Sequence, residues 1–381
     1  MTCKTLLSVC VGAGLLSGCG GAEIPVNADG GVAPDSAPAV SPFVPQAIEN
    51  VIDSMVAAVT AANLPASSKP PIAVLLKQLT DFWAPVVIGA NRMSMQLACP
   101  SIVEAPFVPD PENTTMEQAA VLQNEHLQAY LDSALYRGMA LAPEGTDADS
   151  VSLVHQFVQQ RGPVVTIDSD SPASGRTYNI ATANYQAGQT AAAILGQALN
   201  PGDTIVVFGT TDTTWPSGIE RAQGAEDGAA AAGLLLAPRI SPTWGPDTDL
   251  AALETALADP QLNIKGMVCV YSDASLCAQA AEAVVGAPGI IKIVGFDMTT
   301  DTKAYFDKGY FLGVAVQRQY YMGELGLLVP YSMDVLGAAV TNQMLQPLLI
   351  DGYFIDTGID IITTANYADY MTFLSTLGIN A

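Results

Sequence analysis

Histidine is nearly absent from this chain of 381 residues. Only His126 and His155 occur, so a metal centre built on several imidazoles has no donors. Positive charge is scarce too: 14 Lys and Arg stand against 37 Asp and Glu, a formal net charge of −23. That balance argues against nucleic acid or an anionic bilayer surface as partner. No Gly-Lys dipeptide occurs, which removes a P-loop, and neither GxSxG nor HExxH is found. The six cysteines form no CxxC pair, so a zinc site is not supported. Charged residues make up 13% of the chain and hydrophobic ones 50%. The core is therefore ample, and wholesale disorder is excluded. A chain of this length suits two or three domains or one large two-lobed one. Its acidic surface fits a protein that meets neutral or cationic small molecules.

The early apolar run from Thr5 to Leu16 is too short for a bilayer, which takes about 20 residues. With one Lys ahead and small residues behind, it reads as the core of a signal peptide over residues 1–18. It ends in Leu16-Ser17-Gly18-Cys19. This resembles the lipobox of bacterial lipoproteins and implies that Cys19 carries lipid and opens the mature chain. From Gly20 to about Pro45 the sequence is rich in Gly, Ala, Pro and Ser, the composition of a flexible tether. Ile48, Val51, Ile52, Met55, Val56 and Val59 then recur at helical spacing, predicting an extra amphipathic helix over 46–63 that packs on the surface of the domain. Residues 19–69 thus form the lipidated Cys, tether and extra helix. Cys3 and Cys10 leave with the leader and Cys19 takes lipid. Cys99, Cys269 and Cys277 remain, and the last two either pair in an oxidising envelope or stay two buried thiols.

Beyond Pro70 short apolar strands alternate with helices. Strands are expected at 72–76, 138–141, 164–167, 178–181, 204–208, 266–270, 291–294 and 313–316. Helices are expected at 118–135, 150–160, 185–199, 218–232, 249–258 and 275–285. Repeated strand–helix–strand units with strands this apolar imply parallel sheets covered on both faces. The length of the pattern implies two lobes. The segment Pro100–Asn113 (PSIVEAPFVPDPEN) is expected to be a Pro-rich insertion.

Polar and aromatic residues gather just after the strand C-termini, where open α/β sheets bind ligands. Thr80, Phe82 and Trp83 follow the first strand, and Asp168-Ser169-Asp170 follows VVTI. Asp212 to Trp215 follows IVVFG, with Arg221 opening the next helix. Ser272-Asp273 follows MVCVY, Asp297 follows KIVGF, and Gln317-Arg318 follows GVAV. Asp168 and Asp170 could be a carboxylate pair for acid–base work, but they fit polar ligand contacts equally well. No base–nucleophile constellation and no cofactor motif is evident.

The stretches IAVLLKQLTDFWAPVVIGA, GPVVTIDSDSP, IATANYQAGQTAAAIL, GIERAQGAEDG and KIVGFDMTTDTKAYFDKGYFLGVAVQRQYYMGELG give the chain a family likeness. From roughly Pro70 to its end it resembles the type 1 periplasmic sugar-binding proteins of the ribose/galactose group. The resemblance implies two Rossmann-like lobes with a ligand cleft between them: 70–182 plus 318–350 as lobe 1, and 183–317 plus 351–381 as lobe 2. The chain would cross between lobes near Thr182, Gln317 and Asp351. It also implies that Phe82 and Trp83 stack on a sugar ring, and that Asp168 accepts from two adjacent hydroxyls. Arg221 would fork onto the ring oxygen and a hydroxyl, with Asp297 and Gln317 as the last contacts beside the hinge. Thr80, Ser169, Trp215 and Ser272 complete the candidate set.

Four positions depart from the pattern. Thr80-Asp81 stands where Asn-Pro is usual, Ala183 where Asp is, and Ser169 where Arg is, while the polar pair after MVCVY is shifted to Ser272-Asp273. These losses widen the ligand from a simple pentose to an altered sugar, a polyol or a less polar solute. The function implied is a substrate-binding lipoprotein of the cell envelope, not an enzyme. It would deliver a sugar-like solute to an ABC permease or, alternatively, signal its presence to a membrane receptor.

Overall fold

The computed structural model describes residues 41–106, 115–212, 215–243 and 245–379. The leader, Cys19 and the tether lie outside the described residues, as do residues 107–113 of the insertion.

The first element is the expected extra helix, α1 (Gln46–Ala61). Then come β1 (Ile72–Leu75), α2 (Ala84–Leu97), β2 (Ser101–Glu104), α3 (Met116–Ser133), β3 (Gly138–Leu141), α4 (Ala148–Gln160), β4 (Val164–Ile167) and β5 (Tyr178–Ala181). The chain there leaves lobe 1 for α5 (Asn184–Ala198), β6 (Thr204–Phe208), α6 (Pro216–Ala231), β7 (Leu235–Leu236), α7 (Pro246–Ala258), β8 (Ile264–Cys269), α8 (Ser275–Val285), β9 (Lys292–Phe296), α9 (Thr300–Asp307) and β10 (Phe311–Gln317). It returns for α10 (Gln319–Leu336), α11 (Ala338–Leu345), β11 (Leu349–Ile350) and β12 (Phe354–Asp356), and ends in lobe 2 with β13 (Ile359–Ile362) and α12 (Tyr367–Thr376).

Lobe 1 holds a seven-stranded sheet in the order β11-β12-β5-β4-β3-β1-β2, and lobe 2 a six-stranded sheet in the order β13-β10-β9-β8-β6-β7. Successive residues point to opposite faces of a strand, and both faces are apolar. Ile72 and Val74 join the core under α10, whereas Ala73 and Leu75 join Leu127 and Phe157 of α3 and α4. In lobe 2, Ile205 and Val207 pack with Ala191 and Ala225 of α5 and α6, while Val206 and Phe208 face the other core. Sheets covered on both faces need this double apolarity.

Three features differ from expectation. Part of the insertion is itself strand, since Ser101–Glu104 pairs in parallel with β1. The pairings of β11 with β12 and of β13 with β10 are antiparallel, so each sheet is mixed at one end. The third crossing also falls later than Asp351. β12 pairs with β5 in lobe 1, and the chain changes lobe at Thr357-Gly358, so residues 351–356 belong to lobe 1. Only Thr357 and Gly358 make this crossing, with Gly358 at φ 76°.

The three crossings are laced together. Asp356 Oδ1 accepts from the backbone N–H groups of Ala183 (2.9 Å) and Gly358 (2.8 Å). Arg318 donates to Asp360 Oδ1 from Nε (3.1 Å) and Nη2 (2.7 Å). The Ala183 bond ties the first crossing to the third, and the Arg318 bonds tie the second to the third.

In lobe 1, α10 buries Glu324, whose side chain is 2% exposed. Oε1 accepts from Tyr320 (3.0 Å) and lies 3.4 Å from Arg92 Nη1, while Oε2 has no partner among the described residues. Burial pushes this carboxyl up from 4.5 to about 7; Arg92 and the tyrosine bond pull it down, and Glu49 and Asp53 push it further up. The native state therefore holds a proton that the unfolded chain releases. Stability from that proton is full below the unfolded pKa and is lost as pH rises through about 7. The loss amounts to ~3 kcal/mol at 1.36 kcal/mol per unit. Glu324→Gln should raise the melting temperature at pH 8 and change it little at pH 5. Differential scanning fluorimetry checks this, and equal shifts at both pH values would contradict it.

Candidate functional site

A cleft of about 640 Å³ opens between the lobes. Lys77, Thr80, Phe82, Trp83 and Asp168 line it from lobe 1, and Trp215, Arg221, Ser272, Asp297 and Gln317 from lobe 2. Of the candidate residues, Ser169 alone is set back from this cleft, in an adjoining recess beside Asp168 and Asn184.

The two central carboxylates share one backbone device. Asp168 follows β4 and Asp297 follows β9, and each continues its strand by one hydrogen bond, from Asp168 N–H to Ile180 O (3.1 Å) and from Asp297 N–H to Ala315 O (2.9 Å). Both then turn into the left-handed region, at φ 62° and 59°. Asp and Asn enter that region more easily than other non-glycine residues. The turn ends the strand and aims the side chain off the sheet end.

Around Asp168 the charges are mixed. Lys77 Nζ lies 3.8 Å from Asp168 Oδ2 and donates to Ser169 Oγ at 2.7 Å. Ser169 Oγ in turn donates to Asp168 Oδ2 at 3.0 Å. Asp170 faces a different task. Its two oxygens accept from Arg176 Nε (2.7 Å) and Nη2 (2.6 Å), a bidentate fork that commits it to the fold. An acid–base pair of Asp168 and Asp170 is therefore not formed.

Across the cleft, Gln317 links the buried charges. Its Nε2 donates to Asp297 Oδ2 (2.9 Å), and its Oε1 accepts from Arg221 Nη2 (2.8 Å). Asp297 Oδ1 also accepts from Gln317 N–H (3.1 Å) and Gln319 Nε2 (3.1 Å). Burial pushes the Asp297 carboxyl up, while the Arg221 guanidinium and the Gln317 bonds pull it back. Arg221 lies over the Phe296 ring at 4.6 Å and donates further to Asn184 Oδ1 from Nε (2.9 Å) and Nη2 (2.6 Å), and to Val270 O from Nη1 (2.9 Å). These four bonds occupy four of the five guanidinium donors. A fork onto a ligand needs two, so Asn184 or Gln317 would have to yield one.

This arrangement, two doubly covered α/β lobes joined by three crossings over a polar cleft, has a family. Residues 72–332 match the family model described as a periplasmic binding protein domain. The chain belongs to that family. Its fold is the type 1 fold of periplasmic binding proteins. No curated protein matches the chain.

Among solved structures, it is similar to an ABC transporter solute-binding protein of Burkholderia graminis in complex with D-arabinose. The identity there is 23%, over 80% of this chain and 98% of that one, with a TM-score of 0.66. It is also similar to a glucose-galactose binding protein of Geobacillus stearothermophilus, at 21% identity over 79% of this chain and 99% of that one, with a TM-score of 0.64. A third is a solute-binding protein of Agrobacterium vitis with bound D-fucose, at 24% identity over 78% and 96% of the two chains, with a TM-score of 0.61.

In this periplasmic binding protein the aromatic residues differ in availability. Trp83 is the N-cap residue of α2 and only 3% exposed, its ring edge-on to Phe82 at 5.0 Å. It packs against Phe82, the more exposed of the two rings, and both line the cleft. Trp215 stacks on Tyr271 at 4.7 Å with 17° between the planes. Tyr271 and Lys77 stand in the site although their roles had no sequence signal beyond closeness to a strand end, and Asn184 stands beside it. Asp81, at a position where the family pattern is broken, accepts from Thr300 Oγ1 (2.6 Å) across the cleft mouth. Cys269 and Cys277 are joined in a disulfide, which clamps the loop carrying Tyr271 and Ser272 to α8. Cys99 is a free, buried thiol.

Arg221 owes its position to a close helix contact. A Cβ on Gly188 of α5 would come within 2.0 Å of Arg221 O, and one on Gly224 of α6 within 2.0 Å of Tyr185 O. Glycine is required at both because only a bare backbone fits. Gly188→Ala should force α6 outward, cost ~1–3 kcal/mol as overpacking does, and shift Arg221 from Asn184. Chemical denaturation checks the stability, and an unchanged midpoint would contradict the close contact.

Proposed function

We propose that this protein captures a sugar-like, polyhydroxylated solute in the interlobe cleft and hands it to an ABC importer while held to the envelope by a lipid on Cys19. One observation carries the reading: the ionisable and amide groups of both lobes converge on one cleft, with Asp168 on one side and the Asp297–Gln317–Arg221 chain on the other. Hydroxyls both donate and accept, so they suit a carboxylate on one wall and a guanidinium or amide on the other. Phe82 supplies an apolar face for the C–H side of a ring. The family is one of binding proteins, and the related structures named above hold D-arabinose and D-fucose. The Cys269–Cys277 disulfide suits an oxidising compartment such as the periplasm. Thr80, Trp215 and Ser272 act as rim contacts in this reading, and Lys77 and Ser169 orient Asp168. Contacts drawn from both lobes make the bound ligand favour the arrangement in which the lobes are together.

A thermal-shift screen of sugars, polyols and nucleosides tests the ligand class. A ligand at 100 times its Kd stabilises by about 2.7 kcal/mol. Calorimetry with the best ligand should then show binding lost in Asp168→Ala, with the fold of the empty variant checked by its own melting curve. An analogue or variant that leaves a buried polar group unpaired costs ~1–3 kcal/mol each. Undiminished binding in Asp168→Ala would remove the main polar anchor and turn the ligand class away from sugars.

The anchor is tested separately. Several acyl chains at ~0.8 kcal/mol per buried CH₂ hold a protein stably at a bilayer, so Cys19→Ala should move the protein from the detergent phase to the soluble envelope fraction. Retention of the variant in the membrane fraction would rule out lipid on Cys19 as the anchor.

A further inference from the structure

The segment before β1 lies outside the family match, and it touches both lobes. α1 belongs to lobe 1: Val51, Ile52, Met55 and Val59 are buried, the helix packs on α10 and α11, and Glu49 Oε1 accepts from Tyr321 Oη at 2.8 Å. Just ahead of it, Phe43 is 6% exposed and sits against lobe 2. Its ring meets Tyr370 edge-on at 5.1 Å and Phe373 at 5.9 Å. Both partners are on α12, which follows the third crossing and is fixed to α9 through Phe306 and Tyr367, 5.2 Å apart.

There is no slack between the two attachments. Val44 N–H bonds to Ser41 O, and the N–H groups of Ile48 and Glu49 bond to Pro45 O, so the turn holding Phe43 runs directly into the first turn of α1. The two residues that separate Phe43 from Gln46 span only ~10 Å when extended. If lobe 2 rotates on the hinge, Phe43 must leave the Tyr370–Phe373 face or α1 must leave α10.

We propose that residues 41–46 are a strap across the hinge, with α1 as its foot on lobe 1 and Phe43 as its latch on lobe 2. The strap stabilises the arrangement in which Asp81 meets Thr300 across the cleft mouth. A latch buried only in that arrangement raises its population before any ligand arrives. Ligand affinity rises by the same factor, since apparent Kd scales inversely with the competent fraction.

Spin labels on Ala129→Cys in α3 and Ala230→Cys in α6, both exposed and in opposite lobes, report the lobe separation of the empty protein. Phe43→Ala should move a large share of the distance distribution away from its wild-type position, and Phe373→Ala should do the same. The double variant should add little to either single change, because both remove one contact. Phe43→Leu, which keeps an apolar latch, should stay near wild type, and a cooperative melt of each Ala variant shows that it remains folded. Identical distributions in Phe43→Ala and wild type would overturn the strap. The distance arm needs no ligand and so stands apart from the proposed solute. The affinity arm rests on that proposal: with the best sugar of the screen, Phe43→Ala should raise Kd about tenfold, and an unchanged Kd would contradict the coupling.

Discussion

Burying an arginine and an aspartate at the junction of two lobes is costly unless each finds partners, and Gln317 meets that constraint. Its amide reaches Asp297 with one end and Arg221 with the other, and it is also the residue at which β10 ends and the chain crosses lobes. The group that settles the buried charges is thus part of the hinge. Asn184, the first residue after another crossing, takes two more Arg221 donors. The polar floor of the cleft and the pivot of the lobes are one hydrogen-bonded unit. A ligand that draws Arg221 or Asp297 toward itself acts on the crossings directly.

The two halves of the site differ in kind. On lobe 2 the groups are buried and mutually satisfied, a preorganised wall. On lobe 1, Asp168 is more accessible and balanced by Lys77 at 3.8 Å, a contact that solvent and ligand can both modulate. A rigid half and a responsive half give a cleft in which binding energy depends on bringing the lobes together, which is how ligand contact becomes lobe movement. Asp81 with Thr300 at the cleft mouth and Phe43 with α12 outside it add links that belong to this chain's own departures: one at a broken family motif, the other ahead of the family match.

Much of the fold was legible because periodicity is local. Apolar strands such as VVTI and IVVF appear as β4 and β6, and the spacing from Ile48 to Val59 appears as α1. The candidate residues converge because all follow strand C-termini of parallel sheets, where topology itself brings them together. What was not legible depended on partners far along the chain. Nothing local says that Ser101–Glu104 inside a Pro-rich stretch pairs with β1, or that residues 354–356 pair with β5. Trp83 carries the aromatic signal of a stacking residue, but nothing local shows that as the N-cap of α2 it is almost wholly buried, with Phe82 the more exposed ring at the cleft. The left-handed turns at Asp168 and Asp297 left no mark beyond the residue type that tolerates them.

The central claim is that one solute bridges Asp168 and the Asp297–Gln317–Arg221 unit. A crystal structure with the sugar that gives the largest thermal shift tests it most directly. Ligand hydroxyls should lie within hydrogen-bonding distance of the Asp168 carboxylate on one side and of Asp297 or Arg221 on the other, with the ring against Phe82. A ligand seated outside the interlobe cleft, or held by one lobe alone with Asp168 still paired only to Lys77 and Ser169, would contradict the account.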